Sequence, residues 1–174
     1  KDISARSGIS YFAPVSQAAP RPQTTTPPAS KPASTVEQQE KDILTIYRPT
    51  EDAMYLVPVT VKMKLKDDSP KAALAAMIAD DRKQKYPIFE KGLSVNTVKV
   101  KDGIATVDFS KELLNMDKST TTEELFTAMT VNTLTEFPDI KEVKFLMNGK
   151  AITHLSGHSD MTRTFKRMND IIKK

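Results

Sequence analysis

The sequence predicts an α+β domain in which two helices pack on one face of a mostly antiparallel or mixed sheet. Apolar and polar residues alternate in several short runs, and two intervening segments carry apolar residues at helical spacing. The dipeptides Asp102-Gly103 and Asn148-Gly149 each separate two alternating runs, which is typical of tight β-hairpins. The predicted order of elements is β-β-α-β-β-α-β-β.

Composition divides the chain near residue 40. Residues 1–40 are rich in Pro, Thr, Ser, Ala and Gln, and they contain few large apolar side chains. Such a segment buries too little apolar surface to offset its ordering entropy. We therefore predict a disordered Pro/Thr/Ser-rich linker over residues 1–40 and a folded domain over residues 41–174.

The first half of the domain is predicted to form two strands and a helix. The strands are Ile43–Arg48 and Tyr55–Lys64, both with alternating apolar residues. Ser69 is predicted to cap the helix and Pro70 to occupy its first position. The alanine-rich segment that follows predicts a helix ending near Arg82.

The middle of the domain is predicted to form a hairpin and a second helix. The hairpin joins Leu93–Val100 to Ile104–Phe109 through the Asp-Gly dipeptide. A capping box with Thr121 as N-cap and Glu124 three residues later predicts the start of the helix, and Pro138 predicts its end.

The C-terminal part is predicted to begin with a second hairpin. The Asn-Gly turn connects a strand before it to a partner at Ala151–Leu155. Apolar residues after Asp160 recur at helical spacing and are compatible with a short terminal helix: Phe165, Met168, Ile171 and Ile172.

Composition also excludes several classes of function. The chain contains no cysteine, so disulfides and thiol nucleophiles are excluded. Its 26 Lys and Arg against 22 Asp and Glu give a net charge of +4, and aromatic residues make up only 6%. Lysines at 62, 64 and 66 alternate with apolar residues and indicate a solvated strand face. Because interleaved aromatic residues are sparse, we expect no nucleic-acid partner.

The segment 132–160 contains both histidines. Ser156, His158 and Asp160 lie within five residues, and His154 precedes them closely. One interpretation is a hydrolase or metal-binding site built on His154, His158 and Asp160. A zinc site, however, needs three or four converging ligands, and a catalytic triad normally assembles from distant segments.

The favoured interpretation of this segment is structural. Gly157 would supply an unusual backbone angle, while His158 and Asp160 would form hydrogen bonds that fix the corner. We expect no catalytic residue, no cofactor and no bound metal. The residues of the predicted structural motif are Asn148, Gly149, Gly157, His158 and Asp160.

Paired carboxylates elsewhere are interpreted without a catalytic role. Asp67-Asp68 and Asp80-Asp81 lie at the predicted boundaries of the first helix, where charged side chains are routinely solvated. Glu123 and Glu124 are explained by the positive end of the second helix dipole.

In their order, these segments resemble a known family. ILTIYRP, YLVPVTVKM, VKVKDGIATVDFS, NTLTEFPDIKEVKFLMNGK and LSGHSDM together resemble the GerMN domain of spore-forming and related bacteria. The resemblance covers residues 43–162 and implies an extracytoplasmic domain of sporulation, germination and envelope-assembly proteins. It also implies a fold similar to the ring-building modules of secretion-like complexes, and it supplies no catalytic residues.

The resemblance and the linker together predict a non-catalytic interaction module of the cell envelope. We expect it to be extracytoplasmic, either membrane-anchored or secreted, with a tether upstream of Lys1. Envelope proteins or cell-wall glycan are the expected partners. Because the chain holds one such domain where the family's sporulation protein has two, a general envelope role is expected.

Overall fold

The computed structural model describes residues 43–64 and 68–174, so the linker predicted over residues 1–40 lies outside the described residues, as do Lys66 and Asp67. The predicted order β-β-α-β-β-α-β-β is confirmed, with one further strand at the end. The elements are β1 (Ile43–Pro49), β2 (Leu56–Lys62), α1 (Ser69–Asp81), β3 (Val95–Lys101), β4 (Ile104–Phe109), a 3-10 helix (Lys111–Asn115), α2 (Thr120–Leu134), β5 (Glu142–Met147), β6 (Lys150–Ala151) and β7 (Phe165–Lys166).

The strands form two sheets. β1 and β2 pair antiparallel, with Ile46 opposite Val59. The larger sheet has the order β3-β4-β5-β6, and β7 also pairs with β5. Its central pair, β4 and β5, is parallel, with Val107 opposite Phe145. Parallel neighbours need a long crossover connection, which the 3-10 helix and α2 supply. The α+β class with a mixed sheet is therefore confirmed.

The two helices and the inner face of the larger sheet enclose the core. Side chains at alternate positions of β4 and β5 are fully buried: Ala105, Val107, Phe109, Val143 and Phe145. α1 contributes Leu74 and Met77 to the same core. Among the described residues, no helix is long and apolar enough to cross a membrane.

Phe126 of α2 lies at the centre of an aromatic cluster. Its ring centroid is 5.3 Å from that of Phe89, 5.2 Å from that of Phe109 and 5.6 Å from that of Phe145. Phe145 in turn meets Phe165 of β7 edge-on at 5.5 Å. Tilted and edge-on pairs are favoured by the ring quadrupoles. The cluster therefore joins α2 to the loop before β3 and to three strands.

The ends of the helices differ from the predicted ones by one to four residues. Ser119, rather than Thr121, is the N-cap of α2, and its hydroxyl accepts a hydrogen bond from the Thr122 N–H at 3.1 Å. α2 ends at Leu134, before Pro138, because Thr135 caps it by donating its hydroxyl to the Val131 carbonyl at 2.8 Å. At the start of α1 the N-cap residue is the one before Ser69, and the predicted end near Arg82 is confirmed.

The predicted strand Ala151–Leu155 is wrong beyond its first residue. β6 comprises only Lys150–Ala151, and the chain then turns inward to bury Ile152 and Leu155. β7 takes the remaining edge of β5, with Phe165 opposite Val143. Burial of two apolar side chains against the core therefore replaces the longer hairpin.

The terminal helix does not form either. The buried side chain of Asn132 in α2 binds the backbone of Met168 twice, accepting from its N–H at 2.8 Å and donating to its carbonyl at 2.9 Å. Leu56 accepts from the Lys173 N–H at 2.8 Å and donates to the Ile171 carbonyl at 2.7 Å. These partners occupy the backbone groups that a helix would pair internally.

We expect Phe126→Ala to lower the free energy of unfolding by about 3–5 kcal/mol, because it leaves a cavity among three rings. Urea denaturation of the full chain measures the change. Phe137→Ala is the control, since that ring is only partly buried and lies outside the cluster. Equal losses for the two variants would contradict a central role for Phe126.

Candidate functional site

The segment from Ile152 to Thr164 forms a corner that is tied to the beginning of α2. The Ser156 N–H donates to Glu123 Oε2 at 2.8 Å, and His158 Nε2 donates to the Lys118 carbonyl at 3.3 Å. These two bonds join residues 33 and 40 positions apart. The corner is therefore held by tertiary contacts and not only by its own turns.

The side chains of the hypothetical catalytic or metal site have different partners. His154 Nδ1 donates to the Ser159 carbonyl at 3.2 Å, whereas His158 binds the Lys118 carbonyl. Asp160 Oδ1 accepts from the Thr162 N–H at 2.9 Å. Across residues 43–64 and 68–174, no three His, Cys, Asp or Glu side chains are placed to hold a metal ion. The arrangement lacks the relay of a Ser/His/Asp set, in which each group orients the next.

Asp160 acts as the acceptor of a short local turn. Hydrogen bonds from the hydroxyl and then the backbone of Thr162 lower the pKa of Asp160 from its ordinary value of 3.8. A general acid needs a pKa near the working pH, so this carboxylate is poorly suited to donate a proton in neutral solution.

Three residues of the predicted motif have left-handed backbone angles. Asn148 has φ 47° and Gly149 has φ 77°, as a two-residue hairpin turn of the primed type requires. Gly157 has φ 89°, and a Cβ at that position would meet no atom within 4 Å. The requirement for glycine at 157 is therefore conformational and does not arise from crowding.

Glu123 does more than complement the positive end of the α2 dipole. Its side chain is buried at 1% exposure, and its Oε1 atom has no hydrogen-bond partner within the described residues. Oε2 accepts from Ser156, so this carboxylate anchors the corner to α2. Only its place in the first turn of a helix was visible in the sequence, and that signal equally fits the exposed Glu124.

The carboxylates at the end of α1 are also engaged. Asp80 accepts from Arg48 Nε at 2.8 Å and from Arg48 Nη2 at 2.7 Å, a two-pronged ion pair with β1. Asp81 is buried and accepts from the backbone N–H groups of Ile88 and Phe89, each through Oδ2, at 2.9 and 2.8 Å. Burial raises the pKa of Asp81. Both carboxylates position the loop and strand around the core.

A surface groove runs between α2 and the C-terminal segment. It consists of two adjoining depressions of about 540 and 630 Å³, and Glu124 and Met168 line both. The smaller depression combines the polar residues Thr120, Ser159, Arg163 and Lys166 with the Phe165 ring. The larger one has Met54, Leu125 and Ile171 along one side and polar residues such as Asn169 and Asp170 along the other. We call this combined surface the α2 groove.

Arg167 fixes one wall of the α2 groove. Its Nη2 atom donates to Tyr47 OH at 2.5 Å and to Glu136 Oε1 at 2.8 Å, and Tyr47 OH donates to the same Oε1 at 2.6 Å. The guanidinium also lies 5.5 Å from the centroid of the Tyr47 ring. Burial raises the pKa of Tyr47. With Asn132 holding Met168, these contacts order the groove before any partner binds.

We expect Thr162→Val to raise the pKa of Asp160 toward 3.8, because the variant removes the hydroxyl that contributes most to its lowering. The wild-type hydrogen bond stabilises the fold above pH 3.8, and that contribution is lost as the pH falls through the lowered pKa. Carboxyl ¹³C NMR titration measures the shift. Thr164→Val is the control, since its hydroxyl donates to Glu142; an unchanged Asp160 pKa in Thr162→Val would contradict the assignment.

Comparison with known structures agrees with this architecture. The first GerMN domain of the sporulation protein GerM from Bacillus subtilis is 21% identical with a TM-score of 0.59, over 74% of this chain and 98% of that one. A protein from Clostridium perfringens described as a lipoprotein is 22% identical with a TM-score of 0.52, over 71% and 86% of the two chains. These likenesses show the fold.

The tandem GerMN domains of the same B. subtilis protein match with 22% identity and a TM-score of 0.57. This chain covers 44% of that structure, and the match covers 70% of this chain. No curated protein sequence matches the chain. The model of the Germane family, described as sporulation and spore germination, matches residues 45–153, which is more than half of the chain. The GerMN resemblance is thereby confirmed, and the chain belongs to the Germane family.

Proposed function

We propose that the chain is a non-catalytic interaction module of the bacterial cell envelope, acting in sporulation, germination or the assembly of an envelope complex. Membership of a sporulation and germination family supports this function. The similar Clostridium perfringens protein, described as a lipoprotein, supports an extracytoplasmic location and a membrane tether. The observation that carries the proposal is the α2 groove, whose wall is held in place by hydrogen bonds within the chain. The polar side chains of the corner, by comparison, do not converge on a common site.

The groove has the chemistry of a peptide-binding surface. Met54 is 62% exposed at one end, next to Leu125 and Ile171, and methionine adapts readily to different partners. At the other end Arg163 forms no ion pair within the described residues, and its guanidinium stacks 4.6 Å from the Phe165 ring centroid. We infer that the occupant is an extended segment of an envelope protein. An apolar side chain of that segment would lie against Met54, and a carboxylate of the same segment would lie at Arg163.

Site-specific photocrosslinking in envelope preparations tests this proposal. A photoreactive residue at Met54 and another at Arg163 should capture the same protein, because both ends of the groove contact one segment. Tyr86 is the control position, since it is 72% exposed and does not line the groove. Capture of different proteins at the two ends, or equal capture at Tyr86, would contradict the proposal.

With the captured partner purified, we expect Met54→Asp and Arg163→Glu each to weaken binding about tenfold or more. The first would place a charge against the apolar side chain of the segment, and the second would oppose its carboxylate. Tyr86→Ser should leave the affinity unchanged. Calorimetry or surface plasmon resonance measures the dissociation constants. Binding to purified cell-wall glycan that is lost in Met54→Asp would assign the groove to glycan and overturn the protein partner.

A further inference from the structure

The face of the larger sheet that points away from the helices carries a pattern of lysines. Residues paired across neighbouring strands lie on the same face. Along one row Lys101 pairs with Ile104, Ile104 with Glu142, and Glu142 with Lys166. Along the next row Lys99 pairs with Thr106 and Thr106 with Lys144.

These rows lie opposite the core. Ala105, Val107 and Phe145, the sequence neighbours of row residues, are buried beneath the helices. Because successive side chains of a strand point to opposite faces, the rows face outward. We call this surface, made of Lys99, Lys101, Lys144 and Lys166 around Ile104 and Thr106, the lysine face. Within the described residues both helices lie on the other side of the sheet.

The acidic side chains on this face are already engaged. Glu142 accepts a hydrogen bond from the Thr164 hydroxyl, and its other oxygen lies 3.8 Å from Lys166 Nζ. Asp108 accepts from the Gly149 N–H at 2.8 Å. Lys99, Lys101 and Lys144 form no ion pair within residues 43–64 and 68–174. These three lysines are therefore unpaired within those residues, and with Lys166, Glu142 and Asp108 counted the face keeps a net positive charge.

The composition of the lysine face indicates what that partner is. Energetic centres of protein interfaces are enriched in Trp, Tyr and Arg, and single-stranded nucleic acids stack on aromatic rings. The strand positions that form this face hold no aromatic residue and no arginine. Lysine is a flexible point charge that does not require bidentate geometry, which suits a layer of mobile anionic headgroups. Clusters of lysine next to a membrane bind anionic lipids in this way.

We propose that the lysine face docks the domain on the surface of an anionic lipid bilayer. The helix side, including α2 and its groove, then points away from the bilayer and stays accessible. The lysine face shares only Lys166 with the α2 groove. Because the variants tested below leave Lys166 unchanged, either proposal can fail while the other stands.

Cosedimentation of the full chain with vesicles tests the proposal. We expect binding to phosphatidylcholine vesicles that contain phosphatidylglycerol, weaker binding as salt rises, and no binding to phosphatidylcholine alone. The triple variant Lys99→Gln, Lys101→Gln and Lys144→Gln should bind the anionic vesicles about a hundredfold more weakly, since each lysine near such a surface contributes about 1 kcal/mol, or roughly fivefold.

The matched control is the triple variant Lys71→Gln, Lys83→Gln and Lys91→Gln, which removes the same charge from exposed positions on α1 and in the loop after it. It should retain binding within about fivefold of wild type. Thermal unfolding verifies that both variants fold. Three results would overturn the proposal. The two variants could lose binding equally, the wild-type chain could fail to bind the anionic vesicles, or it could bind an acidic protein or polyphosphate but not the vesicles.

Discussion

Phe126 packs against three phenylalanine rings that belong to three different parts of the chain. This contact sets the position of α2 over the parallel pair β4–β5, because a tilted ring cluster tolerates little displacement. α2 is also the crossover that makes the parallel pairing possible. The larger sheet and the helical layer therefore depend on the same buried side chain.

Two polar side chains of α2 hold surface segments at fixed positions relative to the helix. Near its start, Glu123 holds the corner through Ser156, and near its end Asn132 holds the backbone of Met168. Both side chains are buried, so leaving either of them unpaired would cost more than losing an exposed hydrogen bond. The corner and the wall of the α2 groove thus owe their positions to one helix.

The local signals in the sequence predicted the parts of the fold that depend on neighbouring residues. The Asp102-Gly103 and Asn148-Gly149 turns, the alternation of β4 and the helical spacing of α2 all reflect backbone sterics or one-sided burial. The strand proposed for Ala151–Leu155 and the terminal helix failed for the opposite reason. In both segments, residues distant in sequence form hydrogen bonds with the backbone or bury the side chains. Local periodicity carries no information about such partners.

By itself the sequence determined the α+β class, the order of the elements and the family. The class and the order follow from local patterns of a few residues each, and the family follows from the order of the motifs along the chain. Only the tertiary structure decided which polar residues matter. Asp81 looked like a solvated charge and Glu123 like a simple complement to the helix dipole, but each is buried and accepts from a backbone N–H. The histidines looked like possible ligands, yet they bind separate carbonyls. Burial and long-range pairing are properties of packing, and a one-dimensional pattern does not contain them.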